Sequence, residues 1–285
     1  MHDLNAVDSI SLNRRTSTRL APPFISDLWR HRELLWQFTV RSVEIRHKGS
    51  HLGLIWAVLN PLLMLGLYVM VFGYIFGGQY GVLQSESRLQ YALGIFLSLT
   101  LFHFIAEVLT LSPGLVVANP NFVKKVVFPL EVLPAANVAG ALFHMTISLC
   151  LVLVGIAVTG STFHVGILWL PVIIAPLLLI GLGLGWLLSA LGVFFRDIGQ
   201  VTQFVSMAML WGSGVFFSAQ NYPQAWTFLR FNPVLLAISL ARDVTLWDRP
   251  INEAHLLYIY AFGILTAWIG NAIFRRMKPA FADVI

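Results

Sequence analysis

The chain has 285 residues, 58% apolar and 11% charged, with a formal net charge of +5. Soluble domains run at roughly 45–50% apolar and about 25% charged, so a water-soluble globule is excluded. The single cysteine, Cys150, excludes an intrachain disulfide and a multi-cysteine metal site.

In chain order, the start carries Asp3, Asp8, Arg14, Arg15 and Arg19 without a short apolar run ending in small residues. It does not read as a cleaved signal, and the first span is expected to insert uncleaved. From Phe24 to Lys48 the polar residues Arg30, Glu33, Gln37, Arg41, Glu44 and Lys48 recur every three or four positions, with Ile25, Leu28, Trp29, Trp36, Val40 and Val43 on other faces. This pattern predicts an amphipathic helix lying in a membrane interface, its arginines toward lipid phosphate or a partner. A solvated helix would leave Trp29 and Trp36 without cover.

No Asp, Glu, Lys or Arg occurs between Lys48 and Glu86, between Glu131 and Arg196, or between Glu253 and Arg275. About 20 apolar residues cross a bilayer as a helix. The runs therefore predict an all-α integral membrane protein with six transmembrane helices, near Leu52–Phe76, Tyr91–Val117, Leu133–Thr159, Ile167–Phe194, Val201–Ser218 and Ala254–Phe274. The polar group Thr159 to Thr162 supplies the turn between the third and fourth. An even count puts both termini on one side. With that side cytoplasmic, fourteen of the lysines and arginines fall inside and four (Arg88, Arg230, Arg242 and Arg249) outside, the positive-inside bias. The positive charge is then explained by the anionic inner leaflet, and nucleic acid is not an expected partner.

Several side chains stand out. His103 and Glu107, four apart in the second span, share a face, and His144 lies in the third. Ionisable groups in a span are costly and point to function, either as a proton relay or as a polar contact between helices or toward a pore. Tyr68, Phe72 and Phe76 repeat every four residues on the first span, and Phe204, Trp211, Phe216 and Phe217 lie on the fifth. Such rings either pack against helices and lipid or form a surface on which sugar rings stack. Gly181, Gly183 and Gly185 sit mid-span among leucines, where Gly181 and Gly185 form a small-xxx-small pair for close helix packing. None of Lys48, Lys124, Lys125 or Lys278 follows a glycine, so the chain has no P-loop. The segment from Asn119 to Glu131 is short, basic and bracketed by prolines, suited to a small helix along the membrane or to a connecting loop. The stretch Ala219 to Asn252 carries Tyr222, Pro223, Trp226, Phe228, Phe231, Pro233 and Trp247, and predicts short helices dipping into the outer leaflet, where irregular backbone needs protein or water around it.

The run Arg46 to Pro61, reading RHKGSHLGLIWAVLNP, resembles the opening signature of the membrane subunits of ABC-2 class polysaccharide and polyol-phosphate exporters, which move O-antigen, capsule or teichoic acid. Three further stretches agree in order: Asn119 to Pro134 with its KKVVFP core, Val193 to Ile198, and Asn232-Pro233 followed by Arg242. The likeness runs from about residue 25 to 275, leaving 1–23 as a variable extension ahead of the 24–48 interface helix and a 49–285 transmembrane domain. It implies a homodimer in the cytoplasmic (inner) membrane of a bacterium, docked on two copies of an ATPase subunit that binds ATP and magnesium, with no cofactor and no catalytic or metal site in this chain. It further implies a coupling helix at about 119–134 with Lys124, Lys125, Phe128 and Glu131, an interface helix with Trp29, Trp36 and Arg41, and outer gate helices in 219–252. Tyr68, Phe72, Phe76, Phe204, Trp211, Phe216 and Phe217 then become part of a channel wall for a lipid-linked polysaccharide. His103 and Glu107 match no motif of that family. An ion-coupled secondary transporter using those two residues, or a membrane-embedded glycosyl or acyl transferase, are the rival expectations. The first ordinarily has repeated halves and the second a dense catalytic cluster, and neither is visible in the sequence.

Overall fold

A computed structural model describes residues 23–47, 51–78, 80–81, 87–124, 128–158, 165–218, 221 and 223–285. The extension up to residue 22, Lys48, Lys125, the Thr159–Thr162 turn and residues 219, 220 and 222 lie outside the described residues.

The regular elements among the described residues are all helical. They are α1 (Pro23–Arg30), α2 (Arg32–His47), α3 (Trp56–Tyr68), α4 (Arg88–Leu111), α5 (Pro120–Lys124), α6 (Val132–Val158), α7 (Leu170–Phe194), α8 (Ile198–Gly212), α9 (Pro223–Leu229), α10 (Pro233–Leu246), α11 (Glu253–Met277) and α12 (Phe281–Val284). With their helical extensions, five stretches are long and apolar enough to cross a membrane: Trp56–Ile75, Arg88–Gly114, Val132–Val158, Val165–Phe194 and Glu253–Val284. The predicted fifth span, Val201–Ser218, is shorter than expected. α8 has 15 residues, about 22 Å at 1.5 Å per residue, because Ser213 and Gly214 turn the chain, Gly214 at a φ of 62°.

Other boundaries differ for local reasons. The expected single helix over 24–48 breaks at His31, whose ring Nδ1 sits 2.9 Å from the Asp27 carbonyl. Of the expected helix over 119–134, the described residues show α5 from Pro120 to Lys124 and non-helical backbone at Phe128 and Pro129, while Pro134 falls in the first turns of α6. α3 continues through Val69–Ile75 in wider turns, so that the Phe76 N–H reaches the Val71 carbonyl five residues back. α4 begins on a reciprocal cap, Ser87 Oγ accepting from the Gln90 N–H and Gln90 Oε1 from the Ser87 N–H.

Two apolar clusters organise the helices. The larger runs along α4, α6, α7 and α10, with Leu97, Leu101, Ile105, Val152, Ile173 and Ile238 buried. The smaller lies at the end of the bundle where both described ends of the chain meet, here the terminal end. There Phe24, Val116, Leu130, Trp186, Val193, Phe274 and Phe281 pack together. Phe24 meets Trp186 edge-on at 5.7 Å, and Phe281 meets Phe274 at 5.5 Å.

Lipid removes the hydrophobic advantage of helix association, so close packing at small residues carries it. Gly181 and Gly185 face Phe104, Val138 and Pro134, in keeping with the expected small-residue pair. The tightest approaches of α7 are elsewhere. A Cβ on Gly183 would stand 2.3 Å from the Thr266 carbonyl oxygen, one on Gly270 2.1 Å from that of Gly183, and one on Gly192 2.0 Å from that of Pro113. By contrast, α3 and α8 leave Leu63, Leu67, Met70 and Tyr74, and Val201, Phe204, Met207 and Trp211, exposed in the single chain.

These contacts set an expected outcome. Gly270→Ala forces backbone apart and should cost about 1–3 kcal/mol, the scale of overpacking, whereas Gly66→Ala, with nothing within 4 Å, should be neutral. Thermal unfolding of the purified variants in detergent checks the contrast.

Candidate functional site

The aromatic residues singled out by spacing converge. Tyr68 and Phe72 have ring centroids 6.0 Å apart, Phe72 and Phe76 5.8 Å, Phe72 and Phe216 5.3 Å in a stacked arrangement, and Trp211 and Phe216 5.7 Å. Five of the seven rings thus form one connected chain between the first span and the turn after α8. Tyr68, Phe72, Phe216 and Phe217 pack, partly buried, against the larger core cluster, and Phe204 stands exposed on the same α8 face as Trp211.

Phe216 lies beyond the end of α8, on non-helical backbone whose carbonyls have no helical partner. Four side chains supply the missing donors. Asn232 Nδ2 donates to the Gly212 carbonyl at 3.0 Å, Arg242 Nη1 to Gly214 at 2.9 Å, Tyr80 Oη to Val215 at 2.7 Å and Tyr91 Oη to Phe216 at 3.1 Å. Irregular backbone at membrane depth persists only when so satisfied. Asn232 serves twice, since its Oδ1 also accepts the Val234 and Leu235 N–H groups and caps α10, with Pro233 at the first helical position. Arg242 is 1% exposed, its guanidinium carbon 4.4 Å from the Tyr80 ring centre and 5.5 Å from that of Trp247. The resemblance pointed to Asn232 and Arg242 without a role, and nothing in the spacing marked Tyr80 or Tyr91.

A second constellation lies nearer the terminal end. Arg46 Nη1 stands 2.8 Å from Glu107 Oε2 and donates to His144 Nδ1 at 2.7 Å, and His144 Nδ1 is 3.4 Å from Glu107 Oε1. His144 and Glu107 are therefore brought together, and the sequence missed Arg46, whose charge read as part of an interfacial segment. His103, one turn from Glu107, lines a cavity with it.

Two of the predicted coupling residues, Phe128 and Glu131, turn inward. Phe128 stacks on Phe122 at 4.7 Å and meets Phe38 of α2 at 5.1 Å. Glu131 receives Lys278 Nζ at 2.9 and 3.0 Å, and its carbonyl accepts the Trp186 indole N–H at 3.0 Å. Asp27 pairs with Arg275. Lys124 remains exposed. Of the interface residues, Trp29 and Trp36 are about 70% exposed, and the Arg41 guanidinium lies 5.8 Å from the Phe38 ring centre.

The family described as ABC-2 type transporter matches residues 33–246, well over half of the chain, and the chain belongs to that family. An O-antigen export system permease protein RfbA of Klebsiella pneumoniae is 26% identical over 255 residues, covering 89% of this chain and 95% of the relative. The RfbA of Myxococcus xanthus is 24% identical over 266 residues, 92% of this chain and 98% of the relative. The polysialic acid transport protein KpsM of Escherichia coli is 22% identical over 244 residues, 85% and 92% respectively. With its apolar helices, the chain is an integral protein of the inner membrane and a transmembrane subunit of an ABC transporter.

The donors around the turn after α8 can be tested singly. Tyr91→Phe keeps the ring and strands the Phe216 carbonyl, at an expected cost of about 1–3 kcal/mol for an unsatisfied buried group. Thermal unfolding should register that loss, and Tyr74→Phe, on an exposed ring, should not.

Proposed function

We propose that this chain is the channel-forming subunit of an ATP-driven exporter that moves a lipid-linked, O-antigen-like polysaccharide across the cytoplasmic membrane. The observation that carries this reading is the connected row of rings Tyr68, Phe72, Phe76, Phe216 and Trp211, beside the otherwise unpartnered apolar faces of α3 and α8. Aromatic faces contact successive sugars weakly and repeatedly, so a polymer slides without being trapped. The relatives, O-antigen export permeases and a polysialic acid transport protein, support the substrate class.

In this reading α8 makes the fifth of six crossings, and the terminal end is cytoplasmic, where the lysines and arginines concentrate. A second copy covers α3 and α8, giving a homodimeric conduit with Phe204 near its wall. Two ATPase subunits bind ATP and magnesium and hydrolyse the nucleotide, since this chain lacks a P-loop. They dock against the exposed parts of α1, α2 and α5, with Trp29, Trp36 and Lys124 facing them and Lys125 as a further coupling residue. Phe128 and Glu131 hold the 119–131 segment to α2 and to the chain's C-terminal end, so they position the docking surface. α9 and α10 form the outer gate, and residues 1–23 remain an extension outside the working part.

Three outcomes test it. The purified chain alone should hydrolyse no ATP, and hydrolysis should appear with a nucleotide-binding subunit; activity in the isolated chain would sink the reading. Phe128→Asp places a charge among Phe38 and Phe122 and should abolish export while membrane insertion persists, read by surface polysaccharide and membrane fractionation. Phe72→Leu keeps apolar volume and as a packing change costs under about 1.5 kcal/mol. Export should nevertheless fall with normal expression and ATPase activity. Full export by that variant, with cysteines at 68, 72 and 76 inert to a water-soluble maleimide in a Cys150→Ser background, would move the row out of the conduit.

A further inference from the structure

Between α3, α4 and α6 lies a cavity of about 170 Å³ whose lining includes Asn60, Tyr68, His103, Glu107, His144 and Ser148. At roughly 30 Å³ per water it has room for five or six waters, the space of one sugar ring and far less than a polymer segment. Two features make its chemistry specific. Glu107 is engaged by Arg46 and lies beside His144, so the carboxylate brings no uncompensated charge that would call for an ion. Asn60, Tyr68, His103 and Ser148, by contrast, form no side-chain hydrogen bond with another residue among the described ones. An amide, a phenol, an imidazole and a hydroxyl thus face one small space with donors and acceptors unspent, at a depth where unsatisfied polar groups are costly.

Asn60 and His103 line this cavity and are exposed in the single chain. Against lipid both would be unfavourable. Tyr68 belongs to the cavity and to the aromatic row, lining the one and beginning the other through its 6.0 Å contact with Phe72.

We infer that this cavity holds one neutral sugar ring of the translocating polymer, with Asn60 and His103 hydrogen-bonding its hydroxyls and Tyr68 supplying the aromatic surface, in a pocket that Ser148 also lines. Sugar hydroxyls donate and accept at once, which matches the mixed inventory of these side chains. The inference rests on the polysaccharide reading above and adds to it a discrete subsite at the start of the sliding surface.

The test uses the full chain with its ATPase partner in nanodiscs, in a Cys150→Ser background, labelled by a water-soluble maleimide at Ser148→Cys or, separately, at Phe72→Cys. The probe is the surface polysaccharide of the organism that carries this chain, freed of its lipid by mild acid, with dextran as the non-cognate control. Labelling at Ser148→Cys should slow about threefold or more with the cognate polymer, the protection that two-thirds occupancy gives. Adding Asn60→Leu and His103→Phe should remove that protection. If Phe72→Cys is protected and Ser148→Cys is not, the conduit stands and the subsite falls. Protection at neither position overturns both readings. A Ser148→Cys that never reacts means a cavity closed to water, which also overturns the subsite.

Discussion

Every backbone carbonyl within a bilayer must find a donor in the protein, and in this chain that constraint is most demanding just after α8. α8 ends after 15 residues, and the backbone beyond it is irregular from Ser213 to Ser218. Four carbonyls there, of Gly212, Gly214, Val215 and Phe216, are met by Asn232, Arg242, Tyr80 and Tyr91. The aromatic row depends on this solution. Phe216 stacks on Phe72 because its own carbonyl is held by Tyr91, and the turn that carries it is held by Arg242. The buried guanidinium is in turn tolerable because Tyr80 and Trp247 flank it.

Close packing supplies the frame on which that turn rests. α7 and α11 touch backbone to backbone at Gly183 and Gly270, and α7 touches the turn after α4 at Gly192 and Pro113. These contacts hold the buried side of the bundle rigid, while α3 and α8 keep large apolar faces open. Tyr68, Phe72 and Phe216 sit where the two meet, partly buried against the core cluster.

What the sequence disclosed follows the same division. Apolar runs and charge gaps located the long helices because a span needs length and little else, and the four-residue spacing of Tyr68, Phe72 and Phe76 put three rings on one face. The destinations of polar atoms were not legible. Tyr80 and Val215 are 135 positions apart and Tyr91 and Phe216 are 125 apart, so no local pattern announces their bonds. Arg46 read as interfacial charge, although it reaches Glu107 and His144. In helices that are apolar on nearly every side, periodicity no longer says which face meets which neighbour. That is why Gly181 and Gly185 attracted notice while Gly183, between them, makes the closer contact. His31 breaks the N-terminal helix, and the amphipathic period there gave no sign of it.

The two polar constellations are linked by one helix. Tyr91 and Glu107 are sixteen residues apart on α4, about 24 Å along its axis, and α4 is the most buried of the five long apolar helices. One end is fixed to the turn carrying Phe216, the other to Arg46 at the end of α2. α2 is joined through Phe38 to Phe128, and Gly140 lets it lie close against α6 at Ser42. A displacement of α2 therefore has two physical outcomes at α4: it breaks the Arg46 to Glu107 pair, or it carries α4 with it. A tightly packed helix does not bend to absorb such a shift, so in the second case Tyr91 moves too, and the Phe216 carbonyl must follow or lose its donor. The contacts thus form a continuous route from the segment around Phe128 to the stacked rings of Phe72 and Phe216, with Arg46 and Tyr91 as its two polar joints.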